Sequence, residues 1–317
     1  MCIFSRSIVS VTDTLIFARL SGNGQQYLAY QMKYESEEPN AMILPLPVEL
    51  PSAESSVEFI DLSEYEDFFD RLGRAFPSIR SLTFKTAIVA SNSLSKDKLA
   101  VHEVGNFVAS FVPTVDDFDR LDEQFVIPKE TWAKIPEYAN YGFAVFQLKD
   151  LVGKPHPMAF RFKTRSNNLF FPTVHIHDGE VHTEEDFDHV LFMQHAGFDS
   201  VVGKYQGPWE VDFATGVVRS KDVAGKYCNI EKAKGLIAPD LLLHRTRLEG
   251  RLPNQDTLLA AKGSPAVPGF NYRQLMAWWP LAIPVAATAW FFNRRNKIQA
   301  ARNESESGSD DKSQQPV

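Results

Sequence analysis

Five of the chain's eight histidines fall in residues 171–195, FPTVHIHDGEVHTEEDFDHVLFMQH: His175, His177, His182, His189 and His195. Asp178, Glu180, Glu184, Glu185, Asp186 and Asp188 are interleaved with them. Three imidazoles and a carboxylate suit zinc, iron or manganese, and an open coordination position would activate water. On a strand His175 and His177 point to the same side, as two ligands of one ion must. Asp178-Gly179 is a turn signal, and a hairpin there would bring His182 back beside them. His189 and His195 share a face if residues 188–195 are extended. The candidate metal set is therefore His175, His177, His182 and His189, holding zinc or another transition metal. Glu180 and Glu184 are the candidate proton carriers of a metal-dependent hydrolase built on His175, His177 and His182. The competing reading pairs these histidines with the neighbouring acids on a solvated hairpin. HIHDGEVH lacks the carboxylate position of a cupin-type motif, and the chain carries neither HExxH nor HxHxDH.

Cys2 offers a second chemistry. Removal of Met1 would leave an N-terminal cysteine, the nucleophile and amine base of N-terminal-nucleophile amidohydrolases. No supporting Asn/Arg motif follows it. With only Cys2 and Cys228 in the chain, neither a disulfide framework nor a Cys-rich zinc site can form. There is no GxGxxG, GxxxxGK[ST] or GxSxG arrangement. A net charge of -7 without a basic, aromatic-interleaved stripe before the last fifty residues argues against nucleic-acid binding.

The elements that must position these groups read as strands and short helices. Residues 14–20 and 26–34 flank Ser21-Gly22-Asn23-Gly24, a hairpin signal. Residues 41–48, AMILPLPV, read as a third strand, which Pro45 and Pro47 place at an edge or turn out of the sheet. Ser63 and Glu66 have capping-box spacing, with Tyr65, Phe68, Phe69 and Leu72 following on one face, and Gly73 and Pro77 as stops. Residues 81–90 and 99–112 read as strands. Thr114 with Asp117 opens a second helix, Pro128 a third through Trp132 and Ile135, and residues 143–148 resume as strand. From Ala159 on the chain reads mostly as β, through residues 209–213 and 216–219. Residues 236–247 fit either a strand or a buried helix. Strands and helices without regular βαβ alternation predict an α+β fold with a mixed, mostly antiparallel sheet and a few short helices.

Residues 275–292, LMAWWPLAIPVAATAWFF, carry no charge over 18 positions, with Trp278 and Trp279 near one end and Trp290 near the other. As a helix they would span about 27 Å, close to a hydrocarbon core. Arg294, Arg295, Lys297 and Arg302 follow, then an acidic, Ser-rich tail. The expected organisation is a globular domain over 1–270, with a subdomain boundary near 150–160, a transmembrane helix over 275–292, and a disordered tail over 293–317. The start, MCIFSRSIVSVTDTLIF, is not patterned as a signal peptide. The positive-inside rule places the Arg/Lys cluster in the cytoplasm, which leaves the side of the main domain open.

The hairpin leading to AMILPLP, the block VGNFVASFVPTVDDFDRLDEQFVIPKETWAKIPEYANYGFAVFQL and the late apolar segment together resemble a bacterial family of unknown function. Members of that family are typically exported and often end in a single membrane anchor. The resemblance implies a membrane-anchored architecture and no activity. The expectation is a single-pass membrane protein with a binding or scaffolding role, a protein partner and a metal on the histidine hairpin. A His175/His177/His182 hydrolase is the alternative, and a Cys2 amidohydrolase a lesser one.

Overall fold

The runs on either side of Ser21-Gly22-Asn23-Gly24 form an antiparallel hairpin, β2 (Ser10–Leu20) with β3 (Gln25–Glu35), Leu20 lying opposite Gln26. Gly24 takes φ +78, a conformation open to glycine, and its N–H closes the turn on the Ser21 carbonyl at 3.1 Å. The protein is described as a computed structural model over residues 3–76, 101–104, 107–122, 125–127, 129–148, 150–201 and 216–260. These belong to one unit, Met1–Phe270.

Around the hairpin lie β1 (Ile3–Phe4), β4 (Asn40–Leu46), β5 (Val57–Asp61), α1 (Phe68–Gly73), β6 (Val101–Val104), β7 (Phe107–Val112) and α2 (Lys129–Ala133). Then come β8 (Gly142–Leu148), β9 (Val152–Gly153), β10 (Met158–Lys163), β11 (Asn168–Phe171), β12 (Glu184–Gln194) and α3 (Ala196–Val201). The last described strands are β13 (Val218–Val223), β14 (Leu242–Pro253) and β15 (Thr257–Ala260). One sheet runs β13-β14-β12-β2-β3-β10-β5 with β9 added against β3; a second runs β1-β4-β8-β7-β6; β11 and β15 form a third. Every ladder is antiparallel except β12 with β2. The fold is thus a mixed, mostly antiparallel β arrangement with short helices, as the sequence predicts.

Two sheets share one core, in which Phe146 of β8 meets Phe160 of β10 at 5.9 Å between ring centroids. The far face of the larger sheet, with Phe17, Ala29 and Phe192, is covered by α1 and by Cys228, Leu236 and Ile237. The far face of the smaller sheet, with Ile43, Phe143 and Val145, is covered by Phe118, Trp132 and Ile135. Central strands are therefore buried on both faces and read as continuous apolar runs. All seven residues of β4 are buried.

Several expectations change in detail. β4 is an inner strand, flanked by β1 and β8; among the described residues β1 pairs with Ile43 and Met42, and Pro45 is paired with Phe143 of β8. The single strand expected over 99–112 is two antiparallel strands, β6 and β7, with Val104 opposite Phe107. In the sequence Gly105-Asn106, a turn-favouring pair, stands between them. At residue 63 the predicted capping box gives way to a 3-10 turn whose Ser63 N–H donates to Asp61 Oδ1 at 2.9 Å, and α1 begins later, at Phe68. The inward set Tyr65, Phe68, Phe69 and Leu72 is buried as predicted. Pro136 ends the third helix and restarts the chain as a 3-10 turn, Pro136–Tyr138. Residues 242–247 are strand. The strands expected at 81–90 and 209–213, the helix at 275–292, the tail and Cys2 lie outside the described residues. Among the described residues no helix is long and apolar enough to cross a membrane.

Candidate functional site

Residues 172–183 do not form a hairpin. They cross the molecule as an irregular strap whose backbone is held by side chains from the β14–β15 connection. Asn254 Oδ1 accepts from His175 N at 2.7 Å, while its Nδ2 donates to His175 O at 2.8 Å and His182 O at 3.0 Å. Asp256 Oδ1 accepts from Thr173 N at 2.8 Å, and its Oδ2 accepts from Tyr138 O–H at 2.7 Å. On its other side the strap takes the chain's first strand: Phe4 N donates to Ile176 O at 3.1 Å and Ile8 N to His177 O at 3.0 Å. With its backbone groups satisfied this way, the strap needs no partner strand of its own.

The strap and β12 bring three imidazoles into one stack. The His175 and His177 rings lie 5.2 Å apart at 18°, and His175 and His189 lie 5.1 Å apart. Phe187 sits 4.3 Å from His175, and Phe4 is edge-on to His177 at 5.9 Å. His175 and His189 are fully buried and His177 is partly so. Burial drives all three pKa values down, His177 to about 4, so the stack is neutral at pH 7. His177 Nε2 is buried without a hydrogen-bond partner among the described residues.

His182 does not join the stack. The Asp178-Gly179 signal does form a turn, with Glu180 N donating to Asp178 Oδ1 at 2.9 Å and Gly179 at φ +84. The His182 ring, however, faces solvent and meets Asp178 Oδ2 at 3.0 Å. That contact raises the His182 pKa and lowers that of Asp178. Glu180 pairs with Lys134, and Glu184 lies exposed at 3.5 Å from Arg251. Neither carboxylate is directed at the buried rings. The predicted His175/His177/His182 grouping is therefore replaced by His175, His177 and His189. Among the described residues no set of three His, Cys, Asp or Glu side chains is grouped to hold a metal ion.

A surface groove of about 390 Å³ lies elsewhere, where β10 and the start of β5 meet the loop before them. Glu49, Leu50, Ser56, Glu58, Arg161 and Lys163 line it. Arg161 donates to Glu58 Oε2 through Nε at 2.9 Å and Nη2 at 2.6 Å. Leu50 is half exposed, at 50 %. Neither this groove nor the Asn254/Asp256 clasp is among the sites the sequence predicts. Asn-Gln-Asp directly after Pro253 is the composition of a side-chain-capped turn, and it was the available signal for the clasp. Nothing in the spacing of Glu49, Glu58 and Lys163 announces that they share a surface.

No family model matches the sequence. Among solved structures, the crystal structure of baculovirus P35 aligns with a TM-score of 0.41 and 13 % identity, over 82 % of this chain and 100 % of that one. A mutated baculovirus P35 after caspase cleavage aligns with a TM-score of 0.40 and 13 % identity, over 78 % and 99 %. The caspase-8/P35 complex aligns with a TM-score of 0.39 and 12 % identity, over 78 % and 95 %.

Proposed function

We infer that this chain is a binding protein held at a membrane by one C-terminal helix, with the β domain as the binding part. The observation that carries the reading is the uncharged segment 275–292, with tryptophans near both ends and Arg294, Arg295 and Lys297 directly after it. The groove beside Leu50 supports the binding part, since it offers charged, polar and apolar contacts in one concave surface. The histidine stack contributes to the core of that domain: three neutral imidazoles packed with Phe4 and Phe187 behave as apolar rings.

The test is carbonate extraction of membranes carrying the full chain, beside a form ending at residue 270. Retention of the full chain and release of the shorter form is expected. Release of both would remove the anchor from this reading.

A further inference from the structure

The groove sits at the β3-β10-β5 end of the larger sheet. Lys163 pairs with Gln25 at the start of β3, and Val48 bridges Thr164. Five residues on from Lys163, a path of at most about 17 Å, Asn168 pairs with Ala260, the last described residue. Leu258 in β15 is 47 % exposed, and Leu50 on the groove rim is 50 % exposed.

The groove carries both signs of charge. Lys163 and Glu49 form no ion pair with a described residue, whereas Arg161 and Glu58 are already bonded to each other. The Glu49 N–H donates to the Lys163 carbonyl at 2.8 Å, which fixes the two residues as backbone neighbours. A ligand complementary to this pair has an anionic and a cationic group a few bonds apart, with an apolar part for Leu50. A simple anion would meet the Glu49 carboxylate, and a simple cation would meet the Lys163 ammonium.

We propose that this groove receives the zwitterionic headgroup of a phospholipid, its phosphate on Lys163, its ammonium on Glu49 and its glycerol end against Leu50. The proposal rests on the membrane reading above for its choice of ligand. It makes the groove a second contact with the lipid surface.

The experiment is amide hydrogen exchange on the full chain with dibutanoyl phosphatidylcholine, which stays monomeric in water. Slowed exchange across residues 49–58 and 161–163 is expected, and Lys163→Glu should raise the half-saturating lipid concentration about tenfold. Absence of protection, protection unchanged in Lys163→Glu, or equal protection by inorganic phosphate alone would overturn the proposal. Carbonate extraction of the same protein reads the tether separately. Lipid protection without membrane retention removes the anchor and leaves the groove. Retention without protection does the reverse.

Discussion

Asn254 closes a reciprocal pair with the backbone of His175, accepting from its N–H at 2.7 Å and donating to its carbonyl at 2.8 Å. One side chain thus does for His175 what a neighbouring strand would do, with both backbone groups bonded in the manner of a ladder. The same Nδ2 reaches His182 O at 3.0 Å and so ties both ends of the turn that contains Asp178-Gly179.

Replacing Asn254 by Ala strips those partners from backbone groups that are part-buried at His175 and exposed at His182. The expected cost is about 1–3 kcal/mol, most of it from the two part-buried groups of His175. Urea unfolding would give that figure, and hydrogen exchange should show residues 173–182 opening ahead of the sheets. A midpoint shift no larger than that of a surface substitution would remove the clasp from this account.

The buried histidines set a pH dependence with a definite sign. His175, His177, His189 and His244 are all lowered by burial, His177 to about 4 and His244 to about 3. A base whose folded pKa lies below its unfolded value is neutral in the fold and protonated on unfolding in acid. Its contribution is fully present above the unfolded pKa near 6.5 and is lost as pH falls towards the folded value. Each such group costs about 1.4 kcal/mol per pH unit in that window. Unfolding free energy should therefore fall steeply below about pH 6.5, and His244→Phe should make the slope shallower by about one proton. A flat profile between pH 7 and 5 would show that these rings are not buried neutral.

Asp256 works in the opposite sense. Burial raises its pKa to about 6 despite the bonds from Tyr138, Thr173 and Val174. An acid raised above its unfolded value favours the fold when protonated, so its contribution is present in acid and is lost as pH rises through about 6. Asp256→Asn keeps an acceptor for Thr173 N and removes the buried charge. The variant should gain stability relative to the parent at pH 8 and lose that gain by pH 4. Thermal melts at the two pH values would read the difference.

Gly142, at the start of β8, has no room for a methyl group. A Cβ built there would lie 2.3 Å from Phe111 Cζ and 3.2 Å from Val48 Cγ2. Phe111 is 2 % exposed and belongs to the shared core, so its ring cannot swing away freely. Gly142→Ala should cost about 1–3 kcal/mol by overpacking, measured by denaturant unfolding. A neutral result would mean that the Phe111 ring has an alternative seat.

His182→Ala and His189→Ala separate the surface histidine from the stack. His182 is exposed and, among the described residues, its ring pairs with Asp178, so its removal should leave the unfolding midpoint unchanged. His189 is fully buried between Phe187 and His175, and truncating it opens a cavity costing about 2–4 kcal/mol. Equal effects would mean that the strap does not hold the order described for it.

Much of the scaffold was legible because it is written in local patterns. The Gly-Asn turn with β-prone flanks determined the β2–β3 hairpin, and the spacing Tyr65, Phe68, Phe69, Leu72 determined the inward face of the first helical segment. Pro136 located a helix end. Less was legible where one long apolar run is two antiparallel strands, as in β6 and β7, or where a proline-bearing strand lies inside a sheet, as β4 does between β1 and β8.

The histidine stretch divides most sharply between the two sources of information. The sequence by itself determined that His175 and His177 come close, since two positions along an extended chain share a side. It also determined that Asp178-Gly179 turns. Which third histidine joins them was decided by the tertiary structure. Asn254, Asp256 and the N-terminal strand satisfy the strap's backbone, and that leaves no reason for residues 180–183 to fold back as a partner strand. His182 therefore stays with water and Asp178, while β12, in register with β2, carries His189 under the strap. Those partners are 79 residues away for His175 and Asn254 and come from the opposite end of the domain for Ile8 and His177. A spacing rule cannot see them, because only the packed sheets bring them within hydrogen-bond distance.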